Sequence, residues 1–296
     1  MKKMLFIMNP CAGKRRANRY LADILAIFNR AGYDVTVHMT AGHGDATTVT
    51  EQRAAEFDLI VCCGGDGTLN EAINGLLRCG LDTPLGYIPA GSTNDFACSL
   101  NLSTKPLQAA QDIAHGTPRY YDICKFGDRY FSYVASFGAF TKASYATSQN
   151  LKNVLGHTAY LLSGIRELTQ IRKLHVRMEL EDQDIEDDFI FGAICNSTSV
   201  GGILTLAPDQ VDMADGLFEI LLIRAPKKLS ELAQCIHAIK TQTYNCSMIT
   251  FVSASKVKII ADSEMNWTLD GEQEDGHDEV EASIIPHAVR IMQNAQ

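Results

Sequence analysis

The stretch Leu59–Gly75, LIVCCGGDGTLNEAING, determines the fold that we predict for this chain. Its first part, Leu59–Cys62, is a continuous apolar run, as expected of a strand whose two faces are both covered. The glycine-rich segment Gly64–Gly67 follows and opens a predicted helix that runs through Leu76. Glycines between a buried strand and a helix let an anion approach unpaired N–H groups at the positive end of the helix dipole. The stretch therefore predicts a phosphate-binding turn.

This turn differs from two common nucleotide motifs. It is not a Walker A loop, because no Gly-x4-Gly-Lys-Ser/Thr occurs here. It is not a dinucleotide fingerprint either, because Asn70 stands where that motif has its third glycine. The alternative interpretation is a glycine-rich turn in which Asp66 only caps the helix.

The chain around this stretch predicts two domains. Strands alternate with helices over residues 1–124, which indicates a doubly wound parallel sheet, and we expect residues 287–296 to return to it. Strand-like runs then follow one another over residues 125–286, which indicates a second, mainly antiparallel β domain. These runs are Tyr130–Phe137, Leu174–Leu180, Phe189–Cys195, Leu217–Ile223, Val257–Ile260 and Val280–Ile284, with helices predicted near 153–170 and 228–240.

Composition excludes several classes of protein. Of the 296 residues 46% are hydrophobic, which argues against disorder, and no 18-residue apolar run predicts a transmembrane helix. The apolar run Met4–Met8 is too short for a signal peptide. Nine cysteines without a CxxC pair predict a reducing, cytoplasmic location. The net charge of −9 lies in the second half of the chain and excludes a general nucleic-acid footprint.

Two further loops are expected beside the glycine turn. Asn9–Lys14 follows the first predicted strand, and Gly91–Phe96 follows the fourth. Ligands of doubly wound sheets bind at the carboxyl ends of the strands, so we expect Asp66 and Asp95 to lie in one crevice. A shared Mg²⁺ would relieve the repulsion between two such carboxylates. The alternative for Asn94 and Asp95 is a simple helix cap.

Taken together, these motifs resemble the diacylglycerol kinase catalytic-domain family, and in particular its soluble bacterial lipid kinases. The resemblance rests on Gly64–Gly75, Asn9–Lys14, Gly91–Phe96 and a late Asp270-Gly271-Glu272, and it extends over nearly the whole chain. The GGDGT core alone is shared with NAD kinases, whereas the residues flanking it favour the lipid kinase branch. The resemblance implies transfer of the γ-phosphoryl group of ATP to a lipid hydroxyl, with diacylglycerol as the favoured substrate and phosphatidate as the product.

The resemblance also implies roles for individual residues. Asp66 and Asp95 match the acids that hold the catalytic Mg²⁺ network, and Lys14 matches a basic residue near the phosphates. The positions that match ATP contacts are Asn9, Thr40, Gly65, Asp66, Gly67, Thr68, Leu69, Asn70, Glu71 and Ser92.

The late acidic motif follows the strand-like run Trp267–Leu269. Carboxylates at positions i and i+2 of an extended chain face the same way, so Asp270 and Glu272 suit a proton acceptor and a neighbour that orients it or the metal. The resemblance implies that Glu272 is the general base, with Asp270 beside it. The alternatives are an ordinary Asp-Gly hairpin turn and a solvated acidic loop over residues 272–281.

A second acidic set consists of Asp209, Asp212 and Asp215. Its spacing does not fit an EF-hand loop. The resemblance implies a structural Mg²⁺ bound by the Asp215 side chain and by the backbone carbonyls of Asp212 and Leu217. The alternative is an exposed turn.

A local basic surplus lies in residues 140–178 and includes Lys142, Lys152 and Arg166. Basic side chains attract anionic lipid headgroups, so we hypothesise that this segment rests on the inner face of the membrane and makes the protein peripheral to it. The alternative is an ordinary packing helix with a charged rim.

Other functions stay open at this point. The acceptor could be another lipid alcohol, such as phosphatidylglycerol or a sphingoid base, or it could be NAD. A nucleotide-binding regulatory protein is the non-enzymatic alternative. The sequence carries no signal for oligomeric state, although proteins of this fold class often pair into homodimers.

Overall fold

The computed structural model describes residues 1–15, 17–92, 94–139, 172–200, 204–207, 210–244 and 246–294. The chain folds into two compact units. The first consists of Met1–Ile123 with Ile285–Gln296, and the second of Cys124–Ile284. In the described part of the chain, no helix combines the length and the apolar character that a bilayer crossing requires.

The first unit is built on a parallel sheet. Its strands are β1 (Lys2–Met8), β2 (Tyr33–Met39), β3 (Leu59–Gly64) and β4 (Leu85–Pro89). The end of the last strand of the chain, Glu279–Gln293, completes it, and the order is last strand, β4, β3, β1, β2. The pairings that join these five strands are parallel. β3 and β4 are buried throughout, which agrees with the apolar run predicted for a covered strand.

Helices cover the two faces of this sheet. They are α1 (Leu21–Arg30), α2 (Asp45–Arg53), α3 (Asp66–Cys79), α4 (Asp95–Ser99) and α5 (Pro106–His115). Buried side chains of α1 and α5 share one core with alternate residues of β1 and β3. Helices α2 and α3 pack on each other. The intervening strand residues, such as Leu5 and Ile60, are fully buried as well. Short 3₁₀ turns occupy Ala12–Arg15, Ala17–Tyr20 and Ala54–Glu56.

The second unit is an antiparallel β structure. Two strands are shared with the first unit, β5 (Thr117–Phe126) and β17 (Glu279–Gln293). The strands that lie wholly in the second unit are β6 (Arg129–Phe131), β7 (Val134–Gly138), β8 (Leu174–Glu179), β9 (Asp184–Cys195), β10 (Ser199–Val200), β11 (Leu204–Thr205), β12 (Phe218–Arg224), β13 (Ile249–Ala254), β14 (Lys256–Ala261), β15 (Trp267–Leu269) and β16 (Glu272–Glu274). β9 is the longest strand that lies wholly in this unit, and it pairs with β7, β8 and β12. The helix α6 (Leu229–Thr241) packs on the core beside β12.

A second core surrounds Trp267, whose ring centroid lies 4.7 Å from that of Phe126 and 4.8 Å from that of Phe137. The predicted strand Tyr130–Phe137 divides here into β6 and β7. The helix predicted near 153–170 lies outside the described residues. The predicted fold class, a doubly wound parallel sheet with a mainly antiparallel β region, is confirmed.

Candidate active site

The glycine turn between β3 and α3 is as tight as the sequence predicts. A Cβ atom on Gly64 would lie 2.6 Å from the Cβ atom of Thr68, so only glycine fits there. Gly65 precedes α3 in extended conformation and its carbonyl accepts the N–H of Leu69 at 3.1 Å. Gly67 is exposed in the first turn of the helix. Since the first N–H groups of a helix have no intrahelical acceptor, this turn presents donors to an anion.

The loop after β1 contacts the same helix. The Asn9 side-chain amide donates to the Thr68 hydroxyl at 3.1 Å, and its carbonyl oxygen accepts the N–H of Cys11 at 2.9 Å. Gly13 has a φ of +52°, and a Cβ atom there would lie 1.8 Å from the Ala90 carbonyl oxygen. The loops that follow β1, β3 and β4 therefore meet at one edge of the parallel sheet.

Asp66 and Asp95 meet at this edge through a hydrogen bond. Asp95 is buried at the start of α4, and its backbone N–H donates to Oδ2 of Asp66 at 3.2 Å. The pKa of the Cys98 thiol is raised by burial and, in addition, by the negative charges of Asp95 and then Asp66. The structure thus brings together the two acids predicted to share a crevice.

The turn after β4 is held by Asn94. Its side-chain oxygen accepts the Gly91 N–H at 2.8 Å, and its amide donates to the Gly91 carbonyl at 3.2 Å. Asn94 has a φ of +52° and makes no side-chain hydrogen bond to the helix, which contradicts the alternative of a simple helix cap for this residue. Ser92 is exposed in the turn, and Thr93 lies outside the described residues.

Glu71 organises the loop before α2. Its carboxylate accepts the N–H groups of Gly44 at 2.8 Å and Ala46 at 3.1 Å, and it lies 3.1 Å from Nδ1 of His43. These contacts stabilise the negative charge of Glu71 at the start of a helix. Thr40 directly precedes this loop, and its backbone N–H donates to the Met8 carbonyl at 2.9 Å.

The other predicted contacts of α3 differ in accessibility. Leu69 is fully buried, so only its backbone can serve a ligand. Asn70 is half-buried, and its side-chain oxygen accepts the amide of Asn74 at 2.8 Å. Lys14 lies in the 3₁₀ turn Ala12–Arg15.

A cavity of about 910 Å³ opens beside the turns that contain Gly13, Gly91 and Ser92. Its lining also includes residues for which the sequence predicted no role, namely Tyr20, Thr104, Lys105, Gln108 and Gln111. The sequence does carry one signal for the position of Lys105. Pro106 is the first residue of α5, and because proline favours the first position of a helix, it marks Lys105 as the residue that precedes one.

In the second unit, Asp270 and Glu272 belong to a tight hairpin. Leu269 pairs with Glu272 across the antiparallel strands β15 and β16, with Asp270 and Gly271 as the two turn residues at φ of +47° and +84°. The expectation that both carboxylates face the same way along an extended chain is therefore wrong. Asp-Gly between two strands is typical of a type I′ turn, which needs two positive φ angles.

Asp270 uses its carboxylate inside the unit. The side chain is buried and accepts the N–H groups of Ser132 at 2.5 Å, Tyr133 at 3.0 Å and Val134 at 3.0 Å. These three donors are removed from the strand ladder, which explains why the predicted strand divides into β6 and β7. The contacts assign Asp270 to fixing the hairpin that carries Glu272.

Glu272 is the first residue of β16, with 42% of its side chain exposed. Its Oε2 lies 3.1 Å from Nη2 of Arg129. Arg129 also contacts Glu274, at 2.5 Å from Nη1 to Oε2. The sequence reasoning missed Arg129, because nothing in the spacing of residues 129 and 272 indicates that they meet.

The acidic loop before β12 forms two local turns. Oδ1 of Asp212 accepts the Ala214 N–H at 3.0 Å, and Oδ1 of Asp215 accepts the Leu217 N–H at 2.9 Å. Both carboxylates are exposed, and Asp209 lies outside the described residues. Among the described residues, no group of three or more His, Cys, Asp or Glu side chains is arranged to bind a metal ion.

Glu219 follows this loop and was not predicted. Its side chain is buried, which raises its pKa to about 8, and the negative charge of Asp215 adds to the effect. Because a carboxyl group with this pKa is largely protonated at pH 7, the negative charge at the loop comes from the exposed carboxylates of Asp212 and Asp215.

Comparison with known proteins places these features in a family. A model of the diacylglycerol kinase catalytic domain matches residues 3–126, and a model described as the YegS C-terminal NAD kinase beta sandwich-like domain matches residues 134–293. The structure of a diacylglycerol kinase from Bacillus anthracis str. Sterne superposes with a TM-score of 0.78 at 24% identity, covering 99% of this chain and 97% of that one. This similarity shows that the two proteins share a fold.

Curated relatives are more similar in sequence. A diacylglycerol kinase from Bacillus subtilis (strain 168) is 34% identical over 274 residues, which cover 92% of this chain and 90% of the relative. A diacylglycerol kinase from Staphylococcus epidermidis (strain RP62A) is 32% identical over 273 residues, covering 92% and 86%. With a glycine turn, two adjacent carboxylates and relatives that match it almost end to end, the chain belongs to the diacylglycerol kinase family of lipid kinases, as its motifs predicted.

Proposed function

We propose that this lipid kinase transfers the γ-phosphoryl group of ATP to the primary hydroxyl of diacylglycerol and forms phosphatidate. The observation that carries the proposal is the pairing of Asp66 with Asp95 beside the glycine turn, in a chain of this family. We assign ATP to the first unit and the lipid to the second.

The ATP contacts that we propose lie on the loops that meet at the sheet edge. The first turn of α3, with Gly65, Asp66, Gly67 and Thr68, offers N–H donors to the phosphates, as helix N-termini generally do. Asn9 holds the Thr68 hydroxyl in place from the neighbouring loop. Lys14 would neutralise phosphate charge from the 3₁₀ turn, and the exposed hydroxyl of Ser92 is available to the nucleotide.

Other residues predicted to contact the nucleotide hold these loops in position. Glu71 shapes the loop after Thr40 through its bonds to Gly44 and Ala46, rather than by facing solvent. Leu69 is buried and can contact the nucleotide only through its backbone, whereas Asn70 offers a half-buried side-chain amide. We therefore expect Thr40 and the α3 turn to touch ATP directly, and Glu71 to keep them in position.

Asp66 and Asp95 fit a Mg²⁺ site by the chemistry of their donors, since adjacent carboxylates repel without a cation and Mg²⁺ prefers one or two of them plus water and phosphate. A bound Mg²⁺ would neutralise charge on the β- and γ-phosphates. The protein supplies the geometry, because the Asp95 N–H fixes the orientation of the Asp66 carboxylate.

We propose Glu272 as the general base. Its carboxylate accepts the proton of the lipid hydroxyl while that oxygen forms a bond to the γ-phosphorus. The bond between the γ-phosphorus and the bridging oxygen breaks, and ADP keeps the electron pair. Such a base contributes about 10²–10⁴-fold, and most of the remaining rate comes from positioning and charge neutralisation.

A second Mg²⁺ is proposed at the loop before β12, through the Asp215 carboxylate and the carbonyls of Asp212 and Leu217. The exposed carboxylates of Asp212 and Asp215, which lie in neighbouring turns, support a cation there. Its role would be structural, and a rise in thermal stability on adding Mg²⁺, lost in Asp215→Asn, tests it.

The place of action and the assembly are also proposals. We propose that the protein acts at the inner face of the membrane. The segment proposed to contact lipid lies mostly outside the described residues. Vesicle sedimentation tests the idea, because binding should depend on anionic lipid.

A homodimer stays a prediction that analytical ultracentrifugation can settle.

The decisive experiment incubates the protein with labelled ATP, Mg²⁺ and a panel of diacylglycerol, phosphatidylglycerol, a sphingoid base and NAD. Label in phosphatidate, reduced about 10²–10⁴-fold in Glu272→Gln, is the expected result. Label in another lipid would change the substrate, and label in NAD would overturn the lipid assignment. No transfer to any acceptor would favour a regulatory protein.

A further inference from the structure

Arg129 is joined to the strand that carries the proposed base. It is the first residue of β6, directly after the turn at Gly127, and its guanidinium makes three contacts to β16. Nη2 donates to Oε2 of Glu272 at 3.1 Å, while Nη1 donates to Oε2 of Glu274 at 2.5 Å and to the Gln273 carbonyl at 3.3 Å. One cation therefore bridges two carboxylates of one strand.

The strand geometry explains this bridge. Residues 272 and 274 project from the same face of β16, because side chains alternate along a strand. Glu274 is the more buried of the two, with 17% of its side chain exposed against 42% for Glu272. Its other oxygen, Oε1, lies 3.3 Å from Nε2 of His277, whose ring lies 6.1 Å from that of Phe126. Glu274 thus anchors Arg129, and Arg129 in turn holds Glu272.

Stability alone does not account for this arrangement. The Arg129 side chain is 40% exposed, and exposed ion pairs contribute little to folding. Arg224 provides a comparison within the same unit. It is 42% exposed, its Nε lies 3.3 Å from Oδ2 of Asp187, and its Nη1 donates to the Ser247 carbonyl at 3.1 Å. The two arginines differ in that only Arg129 contacts the residue proposed as base.

We propose that Arg129 is a positioning residue that orients the Glu272 carboxylate for proton transfer from the lipid hydroxyl. The proposal rests on the proposed function, because it assumes that Glu272 is the base. A glutamate side chain has several rotatable bonds, and a base must come within about 2.6–3.2 Å of the proton it accepts. The planar fork of arginine can hold one carboxylate while it is itself held by another, which a lysine ammonium does less well.

The first test compares Arg129→Gln with the matched control Arg224→Gln in the intact chain. We expect kcat of Arg129→Gln to fall about 10- to 10²-fold, the loss typical of a misplaced catalytic group, with KM for ATP unchanged within about twofold. Arg129→Lys should recover part of the loss. Arg224→Gln should keep the wild-type kcat. Equal kcat values for Arg129→Gln and wild type would overturn the proposal, as would an equal loss in both variants.

The second test asks whether Arg129 acts through Glu272. Since groups that act as one unit are not additive, Arg129→Gln should cost no further activity in a Glu272→Gln background. A further tenfold loss in the double variant would assign Arg129 a separate role and contradict the proposal. If the background rate is too low to measure, partial rescue by Arg129→Lys decides, and the absence of rescue counts against positioning.

These outcomes are distinct from failure of the proposed function. Full activity of Glu272→Gln, or no kinase activity in the wild-type protein, removes the base assignment itself. A strong loss in Glu272→Gln with no loss in Arg129→Gln keeps the lipid kinase and removes only the positioning role. Thermal unfolding of each variant confirms that it is folded, and we expect Arg129→Gln and Arg224→Gln to unfold at similar temperatures.

Discussion

The backbone N–H of Asp95 donates to the Asp66 carboxylate at 3.2 Å, across 29 residues of sequence. The bond joins the start of α4 to the start of α3, so the Asp66 carboxylate is oriented before any ligand arrives. A carboxylate held in this way needs little rearrangement to bind a cation, which is the property expected of a preorganised site.

This pairing predicts that Asp66→Asn and Asp95→Asn each lower kcat by at least about 10²-fold, because electrostatic stabilisation in the transition state is usually the largest contribution to catalysis. Asparagine keeps the size and removes the charge. Radiolabel transfer to diacylglycerol over a range of Mg²⁺ concentrations measures the effect. Asp23→Asn, which changes an exposed carboxylate of α1, serves as control. Activity within threefold of wild type in Asp66→Asn would contradict the proposed Mg²⁺ site.

A second prediction concerns Asp270. Asparagine at this position would aim an amide donor at one of the N–H groups of Ser132–Val134, which now donate to the carboxylate. We expect Asp270→Asn to lower the free energy of unfolding by about 1–3 kcal/mol, the cost of leaving a buried donor unsatisfied. Urea denaturation measures it, with Asp275→Asn at an exposed position as control. An unchanged free energy of unfolding in Asp270→Asn would mean that these hydrogen bonds contribute little to stability.

The first unit was largely predictable because its signals are local. A continuous apolar strand, a glycine turn and a helix lie within Leu59–Gly75, and the same pattern recurs after β1 and β4. Ligands bind at the carboxyl ends of parallel strands, and this rule alone predicted that Asp66 and Asp95 lie close to each other.

The second unit was less predictable because its contacts are distant in sequence. Arg129 and Glu272 are 143 residues apart, and Asp270 binds N–H groups 136 to 138 residues away. No periodicity encodes such pairs. The Asp-Gly turn was a local signal, but it competed with the argument that carboxylates at i and i+2 face the same way. That argument fails when the first of the two residues lies in a turn.

A third prediction uses cysteine reactivity to locate the nucleotide. Cys11 is exposed in the loop that follows Asn9. Burial raises the pKa of the Cys63 thiol to about 12, so this neighbouring cysteine should resist alkylation in the native protein. We expect iodoacetamide to label Cys11, and ATP with Mg²⁺ to slow this labelling, as mass spectrometry of peptides can show. Equal labelling of Cys11 with and without ATP would argue against nucleotide contact at this loop, and Cys63 labelling would signal unfolding.

A fourth prediction concerns pH and His175. The imidazole lies 3.0 Å from Asp188 and 3.3 Å from Glu186, and the hydrogen bond to Asp188 is the main cause of its raised pKa. Because the pKa is higher in the folded state, the stabilisation is complete below the unfolded value of about 6.5 and is lost as pH rises through the folded value.

His175→Gln should therefore be less stable than wild type at pH 5, by less than about 1 kcal/mol because the pair is exposed, and nearly equal to it at pH 9. Urea denaturation at both pH values measures the difference. A stability gap that widened with rising pH would contradict the assignment.

A final prediction separates folding from ligand binding at the glycine turns. A Cβ atom on Gly91 would lie 2.7 Å from Oδ1 of Asn94 and 2.8 Å from the Cα of Gly65, so Gly91→Ala must push two backbone turns apart. A Cβ atom on Gly67 meets nothing within 4 Å, and alanine is favoured over glycine inside a helix. We expect Gly91→Ala to lose stability, by about 1–3 kcal/mol as for other overpacked sites, and to raise KM for ATP.

Gly67→Ala should keep or slightly raise the melting temperature and still raise KM for ATP about tenfold or more, because its methyl group enters the space where the N–H groups of α3 meet phosphate. Thermal unfolding and ATP-dependent kinetics of the two variants measure both effects. Gly80→Ala is the control for a loss of stability alone. Gly80 follows the last residue of α3 with a φ of +66°, and it lies at the opposite end of the helix from the glycine turn. It should lose stability without a change in KM. Unchanged KM in Gly67→Ala would show that the phosphates do not bind at this turn, whatever the stability of the variant.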